Sequence, residues 1–365
     1  MSRIPFALAL VVGPPLSAAE HRQVPDSLRE VASAQALFAS HDPLELVVEA
    51  PLTSIFRERG QDPEEFPGRV IHVAADGTRD TLADVEIRTR GITRLRRDVC
   101  EFPPIRLDFD REEVAGTTFA GQNRLKLSVH CQNGDEDYEQ YVLKEYLAYR
   151  MHNLLTDLSF RVRLARVTYV DTDEPDDTLT RRAFLIEDDE LMAARNDMVP
   201  LIVPGVSLAA TDPAYLALTE VFEYMVGNPD WSAVARGPSE EECCHNTTPI
   251  TNASGLAYSV PYDFDITGIV DARYANRVFN PSERGLGIRS IRQRVYRGIC
   301  QSLPHLETTL QLFDERRDAF YALYRDQEGL DPDVLEDTIE YLDEFFETIN
   351  DPRRVDSEIR RACRG

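Results

Sequence analysis

The first half of the chain alternates apolar and polar positions in short runs, the period of half-buried β-strands. Leu44-Glu45-Leu46-Val47-Val48 is one such run. Val70-Ile71-His72-Val73 leads into Asp76-Gly77, a hairpin signal, and Val85-Glu86-Ile87-Arg88 answers it. Ile105 to Phe109 and Leu125 to Val129 alternate cleanly. The period then changes. From about Glu139 to Leu155 the spacing predicts a helix, with Leu143, Leu147, Arg150 and Leu154 on one face. Two further strands, Leu164 to Val170 and Ala183 to Glu187, bracket an acidic loop from Asp171 to Asp177 that reads as a solvated hairpin tip.

The second half keeps helical period. Asp212-Pro213 supplies an N-cap and a proline at the first helical position, and Tyr215, Leu218, Val221, Phe222 and Met225 follow until Gly227 stops the helix. A second helix runs from Ser302-Leu303-Pro304 through Leu306, Leu310, Phe313 and Tyr324. A third starts at Asp331-Pro332 and carries Leu335, Ile339, Leu342 and Phe346. The pattern predicts an α+β, two-lobed molecule: a β-rich N-terminal lobe with one long helix over 20–190, and a helical C-terminal lobe over 191–365.

The extreme N-terminus changes the expected compartment. Met1-Ser2-Arg3 is a short basic lead, Ile4 to Val12 is apolar, and Ser17-Ala18-Ala19 precedes Glu20 with small residues at a cleavage site. This is the layout of a signal peptide over 1–19, cleaved after Ala19, and it predicts export to a periplasmic or extracellular space. The apolar part is far shorter than the roughly 20 residues a membrane span requires, and no later segment is apolar enough, so no membrane span is expected. The net charge of −24 disfavours a nucleic-acid partner, because a phosphate backbone calls for basic surface. Carboxylate-rich surface suits bound divalent cations instead. The six cysteines, Cys100, Cys131, Cys243, Cys244, Cys300 and Cys363, read as disulfides in an exported chain. Cys100 and Cys131 flank one β-rich stretch and are expected to pair. Adjacent Cys243 and Cys244 are expected to bond to separate partners, Cys300 and Cys363. A zinc site from Cys243, Cys244 and His245 is the alternative, with an unusual spacing of ligands.

Candidate chemistry concentrates between the two halves. A helix ends in Gly227-Asn228-Pro229-Asp230-Trp231-Ser232; His245-Asn246 follows a polar loop; a short strand then ends in Pro261-Tyr262-Asp263-Phe264-Asp265. Asp230, Asn246, Asp263 and Asp265 offer oxygen ligands alone, a set suited to Mg²⁺ or Mn²⁺. A calcium-stabilised loop, or simple turn and capping roles, would use the same residues. Lysine is confined to Lys126 and Lys144, so a site that needs an ammonium has two choices.

With these motifs in place, the chain resembles the spore coat protein H (CotH) kinase family, exported or coat-associated relatives of the protein-kinase fold. The resemblance starts at Arg88-Thr89-Arg90-Gly91-Ile92-Thr93-Arg94, continues through Leu125-Lys126-Leu127 and the Glu145 helix, and ends at the Asn-Pro-Asp-Trp and Tyr-Asp-Phe-Asp segments, about residues 85 to 270. It implies a kinase-like fold and ATP-dependent phosphoryl transfer, with Mg²⁺ or Mn²⁺, to a protein or small-molecule acceptor. By the same resemblance Lys126 would contact phosphates and Glu145 would hold that lysine. Asp230 would orient the acceptor hydroxyl, and Asn246 with Asp263 or Asp265 would hold metal. Arg90, Gly91 and Arg94 would approach phosphates through guanidinium groups and backbone amides. At 100° per residue Glu145 lies nearly opposite Leu143, Leu147 and Leu154, while Lys144 lies nearer Met151 and Leu155, so Lys144 is a second candidate for the functional lysine.

Two rival readings use the same residues: a non-catalytic exported scaffold that no longer binds ATP, and a metal-dependent hydrolase that activates water. Other classes lack support. No histidine pair brackets a glutamate at helical spacing, and no Gly-x-Ser-x-Gly elbow occurs. Asn246-Thr247-Thr248 and Asn252-Ala253-Ser254 fit glycosylation in a eukaryotic secretory route. Trp231, the sole tryptophan, reads as a core residue behind its loop.

Overall fold

The architecture comes from a computed structural model that describes residues 24–365 except 61, 75, 175, 177, 238–239 and 281–283. The expected signal peptide at 1–19 lies outside the described residues. Seven strands form a closed mixed barrel in the order β1-β2-β3-β4-β5-β7-β6. They are β1 (Leu44–Ala50), β2 (Phe66–Val73), β3 (Arg79–Thr89), β4 (Ile105–Asp108), β5 (Arg124–Ser128), β6 (Val162–Asp171) and β7 (Thr178–Ile186). Most neighbours are antiparallel, and the barrel closes through a parallel pairing of β1 with β6, Leu44 opposite Ala165 through Ala50 opposite Asp171. A three-stranded sheet, β10-β9-β8, is built from β8 (Val199–Pro200), β9 (Thr247–Thr251) and β10 (Ala257–Pro261).

Nine α-helices occur among the described residues. The short ones are α1 (Asp26–Ser33), α2 (Leu52–Ile55), α4 (Asp189–Ala194), α6 (Ala275–Val278) and α9 (Pro352–Arg354). The longer ones are α3 (Tyr138–Leu155), α5 (Pro213–Val226), α7 (Leu306–Arg325) and α8 (Pro332–Ile349). This overturns the expected two-lobed, kinase-like plan. Alternation identifies each strand but carries no signal that the first and sixth strands meet, and that contact turns an open β-rich lobe into a closed barrel.

Local chemistry explains the elements that position the site. Asp212 caps α5 by accepting from the Tyr215 backbone N–H at 2.8 Å, and Gly227 ends the helix with φ 68°. That left-handed stop releases the Asn228–Trp231 loop. Inside the barrel lies one apolar cluster that includes Val48, Val70, Ile87, Leu107, Leu127 and Val167. A second joins α3 and α5 to α7 and α8 through Leu147, Phe222, Phe264, Phe313 and Phe345. Helix α3 runs through that second cluster and buries Leu143, Lys144, Glu145, Tyr146 and Leu147 in succession. A helix enclosed on all sides has no polar face, so an argument from 100° spacing cannot separate Lys144 from Glu145. Trp231 packs with Leu216 and Ala233, a core position as expected.

Three disulfides are present, and no cysteine is free. Cys100–Cys131 forms as expected. The other expectation is wrong: Cys243 bonds to Cys244, and Cys300 bonds to Cys363. Cys300 reaches Cys363 because the C-terminal segment lies beside residues 298–300, with Cys300 N–H donating to the Arg364 carbonyl and Arg364 N–H to that of Gly298, each at 2.9 Å. Among the described residues no helix is long and apolar enough to cross a membrane.

The same C-terminal strap is fastened by Glu220 of α5, which accepts from Ile299 N–H at 2.8 Å, from the Tyr296 hydroxyl at 3.1 Å and from Ser302. Burial pushes its carboxyl up to about 7, against the opposing pull of these three donors. A carboxyl raised in the folded state stabilises fully below its unfolded value near 4.5, and that contribution is lost as pH rises to 7. Glu220→Gln should therefore gain on the parent by about 3 kcal/mol between pH 4.5 and 7. Urea unfolding of both proteins across that range is the measurement, and parallel profiles would refute the assignment.

Candidate functional site

One cavity of about 360 Å³ collects most of the residues singled out above: Arg90, Gly91, Arg94, Asp230, Asn246, Asp263 and Asp265 all line it. They arrive from three places: the turn after β3, the loop after α5, and the segments that flank β9 and β10. Gly91 adopts φ 95°, a conformation open to glycine, and space lies open around its Cα. Asn246 and Asp263 adopt φ 52° and 64°. Non-glycine residues in the left-handed region carry strain that concentrates at functional sites.

The Asp230 side is held by a chain of hydrogen bonds. Asn228 Oδ1 accepts from Asp230 N–H at 2.9 Å, and Asn246 Nδ2 donates to the Asp230 carbonyl at 2.6 Å. The Asp230 carboxylate bonds His245 Nε2 at 2.9 Å, while His245 Nδ1 bonds Glu240 at 2.9 Å. Burial alone would lower the imidazole; the hydrogen bonds and charges of Asp230 and Glu240 overrule it and raise it to about 9. His245 is thus an imidazolium at neutral pH, donating from both nitrogens. Its adjacency to Asn246 was the sequence signal for it. The zinc alternative for Cys243, Cys244 and His245 is excluded, since both sulfurs are joined to each other and both ring nitrogens are engaged by carboxylates.

The opposite wall is built around Arg94, whose guanidinium is buried. Its nitrogens lie 3.4 Å from Glu145, 3.3 Å from Asp265 and 3.6 Å from Asp263. Ser128 donates to Glu145 at 3.0 Å, and the Tyr274 hydroxyl donates to Asp265 at 2.9 Å. Burial works against the Arg94 charge, but Asp265 and Glu145 outweigh it and hold that charge firmly. Burial also raises the carboxyls of Asp265 and Glu145, with Arg94 pulling both back down. One guanidinium facing three carboxyl groups leaves acidic surplus at the cavity wall, where the Asp263 side chain is 36% exposed.

Neither lysine joins this arrangement. Lys126 pairs with Asp189 at 2.7 Å, between the rings of Phe160 and Tyr262. The expected Lys126–Glu145 pair does not form. Residues 126 and 128 share a face of β5, about 7 Å apart along the strand, and Ser128 is the one that meets Glu145. Lys144 is buried beside the Tyr141 ring, where burial lowers it to about 8, and it does not line the cavity. Arginine supplies the positive charge instead. Arg94 is the buried partner of Glu145, and Arg90 and Arg284 line the opening. Arg284 and Glu240 belong to the cavity without having been singled out; neither stands in a recognisable motif.

The donor set can be tested against a divalent cation. Among the described residues no three His, Cys, Asp or Glu side chains converge to hold a metal on their own. Magnesium characteristically uses one or two carboxylates and completes its shell with water and substrate phosphates. Asp263 and Asn246 both line the cavity and carry the oxygen ligands such a sparse set would draw on. No family model matches the chain, and no curated protein matches it.

Proposed function

We propose that this cavity performs phosphoryl transfer: it takes a nucleoside triphosphate, ATP, with Mg²⁺ or Mn²⁺ and passes the terminal phosphoryl group to a hydroxyl of a protein or small-molecule acceptor. The observation that carries the reading is the convergence of Asp230, Asn246 and Asp263 with Arg90, Gly91 and Arg284 on one cavity. Carboxylate and amide oxygens line the same cavity as guanidinium groups, the two kinds of group that a metal-bridged polyphosphate requires. The resemblance to spore coat protein H kinases gives the same roles to Asp230, Asn246 and Asp263. Three disulfides suit action outside a reducing cytoplasm.

Asp230 takes the proton of the acceptor hydroxyl as the new oxygen–phosphorus bond forms and the bond to the β-phosphate oxygen breaks. His245, protonated, fixes the Asp230 carboxylate through its Nε2 hydrogen bond. Arg90 and Arg284 balance phosphate charge, and the Gly91 turn admits a phosphate close to the backbone. Asp263 and Asn246 would hold the divalent ion, which neutralises charge on the phosphates when bound.

The reading is tested on the mature, oxidised protein by thermal denaturation with ATP and Mg²⁺ or Mn²⁺, separately and together. Ligand at a hundred times its dissociation constant stabilises by about 2.7 kcal/mol, a shift of a few degrees for a chain of this size. We expect that shift with nucleotide and metal together and its loss in Asp263→Ala. No shift with either ion would favour the scaffold reading, and product release without nucleotide would favour a hydrolase.

A further inference from the structure

Beneath the Asp230 loop lies a group of buried polar atoms that the reading above does not use. Glu223, on the last turn of α5, is fully buried, and neither of its carboxyl oxygens has a hydrogen-bond partner. Asn228 Nδ2 and Arg297 Nε are buried without partners too. The three belong to one place. Burial raises the Glu223 carboxyl far above its ordinary range, opposed first by the nearby Asn228 side-chain amide, which stands outside good hydrogen-bond geometry, and then by the Arg297 charge. Asn228 and Arg297 also grip the loop through their side chains, and Glu223 does so through its backbone. Glu223 offers its backbone carbonyl to Asn228 N–H at 2.8 Å, Asn228 Oδ1 accepts from Asp230 N–H, and Arg297 Nη1 donates to the Pro229 carbonyl.

An unsatisfied buried polar group is costly, and three such groups gathered at one place call for a reason. A hydrophobic side chain at position 223 would avoid the cost but leave Asn228 and Arg297 with nothing to face. We propose that Glu223 is a positioning residue for Asp230: through Asn228 and Arg297 it latches residues 228–230 in the one geometry that aims the Asp230 carboxylate into the cavity. The inference rests on the phosphoryl-transfer reading for its catalytic consequence and on packing for its structural one. A displacement of about 1 Å in a reacting group costs about a hundredfold in rate, so a latch remote from substrate has a kinetic signature.

The test compares Glu223→Leu, Glu223→Gln and Arg297→Gln in two measurements. In steady-state kinetics with ATP, Mg²⁺ and a hydroxyl acceptor, Glu223→Leu should lower kcat about a hundredfold while KM for ATP stays within about twofold. Glu223→Gln, which keeps an oxygen acceptor in place, should recover all but about threefold of that loss. In native-state hydrogen exchange, the Asp230 amide should exchange at least about tenfold faster in Glu223→Leu, with α5 itself unchanged. Should Glu223→Leu fail to fold, Arg297→Gln carries the same two expectations. Unchanged exchange at the Asp230 amide, or wild-type kcat in both Glu223→Leu and Arg297→Gln, would overturn the latch. Absence of wild-type turnover would sink the phosphoryl-transfer reading alone, since the exchange arm decides the latch without catalysis.

Discussion

Arg94→Met should cost about 3–5 kcal/mol of folding stability, the range for removing one partner of a buried ion pair. The expectation follows from what the methionine would leave behind. Glu145 and Asp265 are buried beside the guanidinium, and one Glu145 oxygen already lacks a hydrogen-bond partner. Without the arginine their charges have no compensation in a medium that screens poorly. Lysine at 94 should restore little, because one ammonium cannot reach Glu145, Asp263 and Asp265 from three separate nitrogens. The deficit should also depend on pH. Both carboxyls are already raised in the folded state, and losing Arg94 raises them further. Stability from such groups is full below their unfolded values, 4.5 and 3.8, and is lost as pH rises. The variant should therefore sit closest to the parent near pH 4 and fall away toward neutrality. Asp265→Asn combined with Arg94→Met should recover part of the loss, giving a non-additive cycle. Chemical denaturation at two pH values measures all of this, and a cost under about 1 kcal/mol for Arg94→Met would refute the buried-network account.

What could be read from the chain and what could not divide along a physical line. Strands β1 to β7 and the long helices were legible because alternation, Asp-Pro starts and the Gly227 stop are local signals. The convergence of Asn228-Pro229-Asp230 with Tyr262-Asp263-Phe264-Asp265 was legible for a related reason: each segment gathers several polar residues at the end of a buried element. Closure of the barrel was not legible, since β1 and β6 are separated by more than a hundred residues and nothing in either announces a parallel partner. The partner of Glu145 was misjudged as lysine. Spacing gives the distance along a strand but not which of two same-face residues looks across the gap, and Arg94 comes from a turn whose direction no pattern encodes. The vicinal Cys243–Cys244 bond was missed because general disulfide geometry argues against neighbours bridging.

Asp230→Asn should lower kcat by about 10³-fold, inside the 10²–10⁴ range for losing a positioned proton acceptor. The substitution is nearly isosteric, and Asn246 Nδ2 bonds the residue-230 backbone carbonyl, a contact the change does not touch. The loop should keep its place, so the loss would be chemical. On the proposed reading nucleotide and metal contacts would come from Asp263, Asn246, Arg90 and Arg284, none of which is altered. The ATP- and Mg²⁺-dependent thermal shift should therefore survive in Asp230→Asn, whereas Asp263→Ala should lose both shift and turnover. That dissociation separates acceptor activation from metal binding, which a misfolded site could not do. His245→Gln supplies the intermediate case. It removes the charged clamp on the Asp230 carboxylate but keeps a hydrogen-bond donor, so kcat should fall about tenfold with KM for ATP unchanged. Single-turnover assays on the three variants give the order. If Asp230→Asn turned over at the parent rate, the proton acceptor would have to be sought elsewhere on the cavity wall, and Asp230 would be left as a structural partner of His245.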